Sequence, residues 1–200
     1  MPLAVPGDEN IRLIRLETPD EIARWRAGFV GAYQTVFSDE PYFERITTAE
    51  ADGVYRKLTS ITGNITLLAV RTPHQVVAFG VAIPLRHKPD VARQLTGLVP
   101  VTNTYYLAEL GVLHDFRNRH LGRTLVRARL RLIEQEHPMV THVILRVPAR
   151  KNATYDMYRA MGFEDMGVYM EVPAVRIDGR VTTDRRLFLC CVISQIRHKS

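Results

Sequence analysis

The stretch from Tyr105 to Leu132 constrains this 200-residue chain more than any other. Up to Val112 the residues fall into two alternating sets: Tyr106, Ala108, Leu110 and Val112 against Tyr105, Leu107, Glu109 and Gly111. Successive strand side chains point to opposite faces, so this pattern predicts a strand buried on both sides. The alternation stops between His114 and His120. From Leu121 the period turns helical, with Leu121, Leu125, Ala128 and Leu132 on one stripe. The connecting loop runs Arg117, Asn118, Arg119, His120, Leu121, Gly122, Arg123, Thr124. A helix start leaves backbone N–H groups unpaired and carries the positive end of the macrodipole. With Arg117, Arg119 and Arg123 around it, this one suits a phosphorylated ligand.

The charge balance agrees. The net charge is +6, from 27 Lys and Arg against 21 Asp and Glu. Such an excess serves a nucleic acid, an anionic membrane or a phosphorylated ligand, and its distribution decides between them. Six arginines lie within Arg117 to Arg131, at the helix just described. No aromatic-rich strand face or helix-turn-helix pattern accompanies them, so nucleic-acid binding ranks last. No apolar run approaches the roughly 20 residues of a membrane span, so no membrane partner is expected. The segment Met1 to Asn10 lacks a basic stretch followed by an apolar core. It reads as a flexible N-terminal tail rather than a signal peptide, with residues 11–200 as a single domain. The only cysteines, Cys190 and Cys191, are neighbours and cannot pair on a strand. Two buried thiols in a reducing cytoplasm is the expectation.

Other elements follow from pattern. Ile11 to Leu16 reads as a strand, and Glu21 to Phe37 as a helix with Ile22, Trp25, Phe29, Tyr33 and Val36 inward. Thr47 and Glu50 fit a capping box that starts a second helix, which Gly63 and Asn64 end. Ile65 to Val70 and Val76 to Ile83 read as a hairpin, and Pro84 to Thr104 as a long loop with at most one helical turn. Thr141 to Val147 is a buried strand, Asn152 to Met161 a short helix, and two strands close the chain. Periodicity alone gives α+β or α/β with short helices.

The strand, loop and helix of Tyr105 to Leu132 resemble motif A of the GNAT superfamily of acyl-CoA-dependent N-acetyltransferases. In that family an apolar strand ends in Val, and R/Q-x-x-G-x-G/A opens a helix. Arg117 and Gly122 fit, while His120 stands where the first Gly is usual. Asn152 to Phe163 resembles the family's N-x-x-A-x-x-L-Y-x-x-x-G-F, with Tyr158, Gly162 and Phe163 in register. Asn152 lies one residue nearer the Tyr than usual, and Thr154 replaces the Ala. The two motifs cover about a third of the chain.

The resemblance implies a mixed, splayed central sheet of about seven strands flanked by about four helices, with acetyl-CoA as co-substrate in the wedge. It implies that Arg117, Asn118, Arg119, His120, Leu121, Gly122, Arg123 and Thr124 hold the pyrophosphate. A bulge at Leu110, Gly111 and Val112 would hold the pantetheine and thioester carbonyl, and Asn152 would meet the pantetheine amides. His120 then either keeps a negative φ or widens the loop. Tyr158 would protonate the leaving thiolate. Glu109 has two open readings: a general base for the acceptor amine, or a side chain reaching solvent. The expected reaction is direct attack of an amine on the thioester, with a non-catalytic CoA-binding module as the alternative. Ser38 to Arg45 and Pro84 to Thr104 are expected to choose the acceptor, and Asp39, Glu40 and Glu44 point to a cationic amine. No His or Cys pair has metal-ligand spacing, so no metal is assigned. A homodimer stays open.

Overall fold

A computed structural model describes residues 3–5, 8–71, 74–150 and 152–196. Two capping boxes start the first helices. Thr18 accepts from the Glu21 amide at the head of α1 (Pro19–Ser38), and Thr47 from the Glu50 amide at the head of α2 (Thr48–Thr59). Each glutamate returns a bond to its cap's backbone, so two orphan donors are satisfied at each helix start. The strands are β1 (Leu3–Val5), β2 (Asp8–Arg15), β3 (Ile65–Arg71), β4 (Gln75–Pro84), β5 (Thr104–Val112), β6 (His142–Pro148), β7 (Glu164–Val175) and β8 (Val181–Val192). They form one sheet in the order β1-β2-β3-β4-β5-β6-β8-β7. The expected loose tail, 1–10, instead supplies β1 and the start of β2, because the outer edge of β2 offers unpaired backbone groups for β1 to join.

Every neighbouring pair is antiparallel except β5 and β6, which α4 (Leu121–Glu136) connects as a crossover. The remaining helices are α3 (Pro89–Gln94), α5 (Ala153–Ala160) and α6 (Ile193–Ile196). Pro84 to Thr104 is thus less a loop than a packed connection. Leu85, Val91, Leu95 and Val99 all enter the core.

The sheet buries both faces. On one face α4 and α5 cover Leu67, Ala69, Leu107 and Leu145. On the other, Trp25, Phe29 and Tyr33 of α1 and Tyr55 of α2 cover Phe79, Tyr106, Ile144 and Phe188. Each fully buried apolar side chain of this size contributes about 1.5–3 kcal/mol. β3 is buried along six consecutive residues, as a strand covered on both sides must be.

Two irregularities of β5 build the site. β5 pairs with β6 only from Thr104 opposite His142 to Leu107 opposite Leu145. Beyond Leu107 the two strands part, while β6 stays paired with β8 as far as Pro148. The sheet therefore opens into a wedge. At the same point Ala108 is an extra residue against β4, since Glu109 pairs with Val81 and Leu107 with Ala82. A bulge of this kind shifts the strand's facing by one residue. It corrects the strict alternation read from the sequence. Leu110 and Val112 pack with the α4 face beside Leu107, and Glu109 turns to the α1 face with Tyr106.

Candidate active site

The wedge is the floor of a cleft of about 750 Å³ that runs from the α4 N-terminus to the β7–β8 hairpin. The α4 end fits a phosphorylated ligand. Asn118 and His120 both have φ 61, the left-handed conformation that favours glycine. His120 thus takes the backbone shape of the residue it replaces, and neither sequence expectation, negative φ or a wider loop, is needed. Among the described residues no side chain caps α4, so its first N–H groups are unclaimed by the helix's own residues. A Cβ on Gly122 would meet nothing nearer than the Met157 sulfur at 3.7 Å, so this turn has space in front of its backbone.

The loop arginines divide. Arg123 lines the cleft. Arg117 also borders it, but its Nε donates to the Val112 carbonyl at 3.3 Å and its Nη2 pairs with Asp39 at 3.2 Å. It ties the end of β5 to the end of α1. Arg119 lies over the Phe116 ring, 5.2 Å from its centroid, and Thr124 donates its hydroxyl proton back to the His120 carbonyl. Neither borders the cleft.

Leu110, Gly111 and Val112 line the cleft wall, although the bulge sits at Ala108 rather than among them. Gly111 has another cause. A Cβ there would lie 2.3 Å from the Phe79 ring, so only glycine lets that ring pack. Asn152 also borders the cleft, but its side-chain oxygen accepts from the Thr154 and Tyr155 amides, both at 3.1 Å. It is the N-cap of α5, which engages the oxygen that the sequence reading reserved for a ligand.

Glu109 reaches the cleft from the bulge, partly accessible and closely surrounded by protein. Burial pushes its pKa up to about 7, against the pull of Arg146 and Lys88, with Glu44 raising it further and the Tyr33 phenol facing it. A carboxyl so held is poised to take and give a proton near neutrality.

Tyr158 lies on the opposite, α4 side of the wedge, packed edge-on against Phe163 at 5.3 Å. Burial pushes its pKa up to about 12, and the Arg129 charge pulls the other way. The phenol is therefore protonated at neutral pH and borders the cleft.

Arg129 went unread in the sequence. It occupies the middle of the inward stripe of α4, whose buried members are Leu121, Leu125, Val126, Arg129, Leu130 and Ile133, with Ala128 and Leu132 only partly covered. It is fully buried. Its Nη1 donates to the Val81 and Glu109 carbonyls, each at 3.0 Å, and its Nε to the Leu125 carbonyl at 3.1 Å. These first two are carbonyls that flank the bulge, so one guanidinium holds the irregular backbone under Glu109. Gly80 makes room for it: a Cβ there would lie 2.9 Å from the guanidinium carbon. The signal was present, since Arg129 stands four residues from both Leu125 and Ile133.

The far end of the cleft is closed by the loop after α1. Arg45 donates its amide to the Val175 carbonyl at 2.7 Å, and the Ile177 amide donates to the Phe43 carbonyl at 2.9 Å. Arg176 bonds the Tyr42 carbonyl and pairs with Asp184. Arg186 pairs with Asp184 at 2.9 Å and Glu44 at 3.4 Å. Pro41, Tyr42 and Glu44 border the cleft as the sequence suggested for this loop. Nothing from Pro84 to Thr104 does; that segment packs into the core instead. Asp39 is held by Arg117 and His114 and does not border the cleft.

No curated protein matches this sequence. Among solved structures, the ribosomal-protein-alanine N-acetyltransferase of Brucella melitensis is similar at 20% identity and TM-score 0.62, over 90% of this chain and 99% of that one. The ribosomal-protein-S18-alanine N-acetyltransferase of Escherichia coli is similar at 15% identity and TM-score 0.59, over 92% and 94%. The spermidine/spermine N-acetyltransferase SpeG of Vibrio cholerae is similar at 11% identity and TM-score 0.59, over 96% and 99%. At these identities the likeness concerns the fold. The family model of the acetyltransferase (GNAT) family matches residues 22–163, which contain both sequence motifs and the whole wedge apart from the β7–β8 wall, and the chain belongs to that family.

Proposed function

We propose that the chain transfers an acetyl group from acetyl-CoA to an amine by direct attack within a ternary complex. One observation carries this. The uncapped α4 N-terminus opens onto strands that part at Leu107, with a carboxyl of pKa about 7 on one side and a protonated phenol on the other. Acetyl-CoA supplies the activated acyl group. Backbone N–H groups from Leu121 to Arg123, with the Arg123 charge, hold its phosphates. The edge of β5 that β6 vacates, from Ala108 to Val112, offers backbone groups to the pantetheine and the thioester carbonyl. Glu109 accepts the proton of the incoming ammonium, and Tyr158 donates one to the departing sulfur. Arg129 acts through both, fixing the backbone under Glu109 and lowering the cost of a transient charge on Tyr158. Holding the two substrates together supplies much of the rate.

The N-acetyltransferase names of the similar structures support an amine acceptor. The unpaired Cys190 and Cys191 support a reducing compartment, the cytoplasm. Among the described residues no helix is long and apolar enough to cross a membrane. Screening amines with acetyl-CoA while following free thiol and product mass tests the proposal. Thiol release that depends on the amine is expected. Tight acetyl-CoA binding with no release for any amine would leave a CoA-binding module.

A further inference from the structure

The acceptor side of the cleft carries four charged groups that cancel. Arg176 and Arg186 are balanced by Asp184 and Glu44, through the ion pairs described above. Two charged groups remain facing the wedge, Glu109 and Arg146. Glu109 is engaged with the amine proton in the reading above. Arg146 is the first residue of β6 past the point where β5 departs, and it lies on the α1 side with Tyr106. A cation in an otherwise apolar strand, His142 to Pro148, carries a desolvation cost that a carboxylate partner normally offsets.

Arg146 has none within ion-pair distance among the described residues. Its Nε donates to the Tyr106 hydroxyl at 2.8 Å and its Nη1 to the Met170 sulfur at 3.2 Å. The guanidinium carbon lies 5.7 Å from the Tyr106 ring centroid. These partners are neutral. They fix the guanidinium without cancelling its charge, and its Nη2 makes no hydrogen bond among the described residues.

We infer that the acceptor is a small amino acid, whose amine meets Glu109 and whose carboxylate meets Arg146. The inference rests on the acetyl-transfer reading and adds the acceptor's class. Guanidinium and carboxylate are both planar, and their paired hydrogen bonds fix orientation as well as charge. Clamping the carboxylate would aim the amine, two groups along the same small molecule, at the thioester. A polycation suits this end poorly, because with Glu109 ionised its described charges, Arg146, Arg176, Arg186 and Lys88 against Glu44, Asp184, Glu109 and the Asp90 that pairs with Lys88, sum to zero and any protonation leaves an excess of positive charge. The sequence expectation of a cationic acceptor, drawn from Asp39, Glu40 and Glu44, gives way to this balance.

The test compares each of the common L-amino acids with its C-terminal amide and its decarboxylated amine. Each is assayed with saturating acetyl-CoA, following free thiol and product mass. For wild type, at least one free amino acid should exceed its own amide in kcat/KM by about 10–100-fold, mainly through KM, the range expected of charged hydrogen bonds. Arg146→Gln should bring that ratio close to one, and Arg146→Lys should restore part of it. The ratio is the readout because Arg146 also acts on Glu109, and that influence touches acid and amide alike. Amides or plain amines used as well as the free acids by wild type would overturn the inference and leave acetyl transfer standing. So would an Arg146→Gln protein, folded by its melting curve, that slows acid and amide equally. The wild-type comparison decides alone if the variant does not fold. Absence of thiol release with any amine, charged or neutral, would overturn the acetyl-transfer reading and this inference with it.

Discussion

Replacing Glu109 with Gln keeps the shape of the side chain and removes its titration. The carboxyl's rise from 4.5 to about 7 in the folded chain means that ionising it costs the native state. At about 1.4 kcal/mol per pH unit, the rise corresponds to ~3 kcal/mol. The sign follows from a raised folded pKa: wild-type stability from this group is complete below pH 4.5 and is lost as pH rises through about 7. Glu109→Gln should therefore gain on wild type between these values and keep a constant lead above them. For a chain of this length, ~3 kcal/mol amounts to several degrees of melting temperature. Of the other groups that act on Glu109, Arg146 and Lys88 pull its pKa down, and Tyr33 stays a neutral phenol because burial raises its pKa. Burial also raises the pKa of Glu44, so Glu44→Gln is measured alongside. The assay is a series of thermal melts from about pH 4 to 9 in roughly unit steps. In parallel, kcat/KM of wild type should climb through an apparent pKa near 7, and Glu109→Gln should lose that limb with a fall of ~10²–10⁴-fold. Melting curves of variant and wild type that stay parallel at every pH would refute the burial argument. An unchanged pH–rate profile would remove Glu109 from the chemistry.

Other expectations follow from the same geometry. Tyr158→Phe should bind acetyl-CoA and slow transfer ~10²–10⁴-fold, less so with a donor whose thiol is more acidic; equal slowing in single turnovers with two donors would deny the acid role. Arg129→Met strips Nη1 from the Val81 and Glu109 carbonyls, and each buried acceptor left unpaired costs about 1–3 kcal/mol, so the melting temperature should fall with activity. Gly80→Ala should act in the same direction by displacing the guanidinium, and a fully active, equally stable Gly80→Ala would contradict this account of the bulge. Gly122→Asp sets bulk and negative charge before the α4 N–H groups and should abolish the thermal shift given by acetyl-CoA, measured against wild type at matched ligand concentration.

Much of the frame was legible because its signals are local. Capping residues, a helical stripe and β-rich runs gave the α1, α2, β3, β4, α4 and β6 segments, and two motifs gave the family. What escaped depends on contacts across the sheet. The bulge at Ala108 leaves no mark in the alternation of β5, because Ala fits either face; only the pairing with β4 reveals it. Arg129 was counted only as one of six arginines at this helix, although it shares a stripe with Leu125 and Ile133. Arg146 had the same signal as Glu109, a charge inside an apolar strand, and was passed over because no motif pointed to it. Arg117 fits its motif and Asn152 lies one residue off its own, yet they hold the strand end and the α5 cap. A motif fixes a residue's position and leaves its partners to the surrounding fold.

The central claim is direct transfer across the wedge, and a single-turnover quench tests it most directly. The protein is saturated with acetyl-CoA and mixed with a competent amine. The acetylated amine, free CoA and intact protein mass are then read from each time point. Direct attack predicts that acetylated amine and free CoA rise together at one rate, with the protein mass unchanged throughout. CoA appearing before the acetylated amine, together with an acetyl group on the protein, would contradict it.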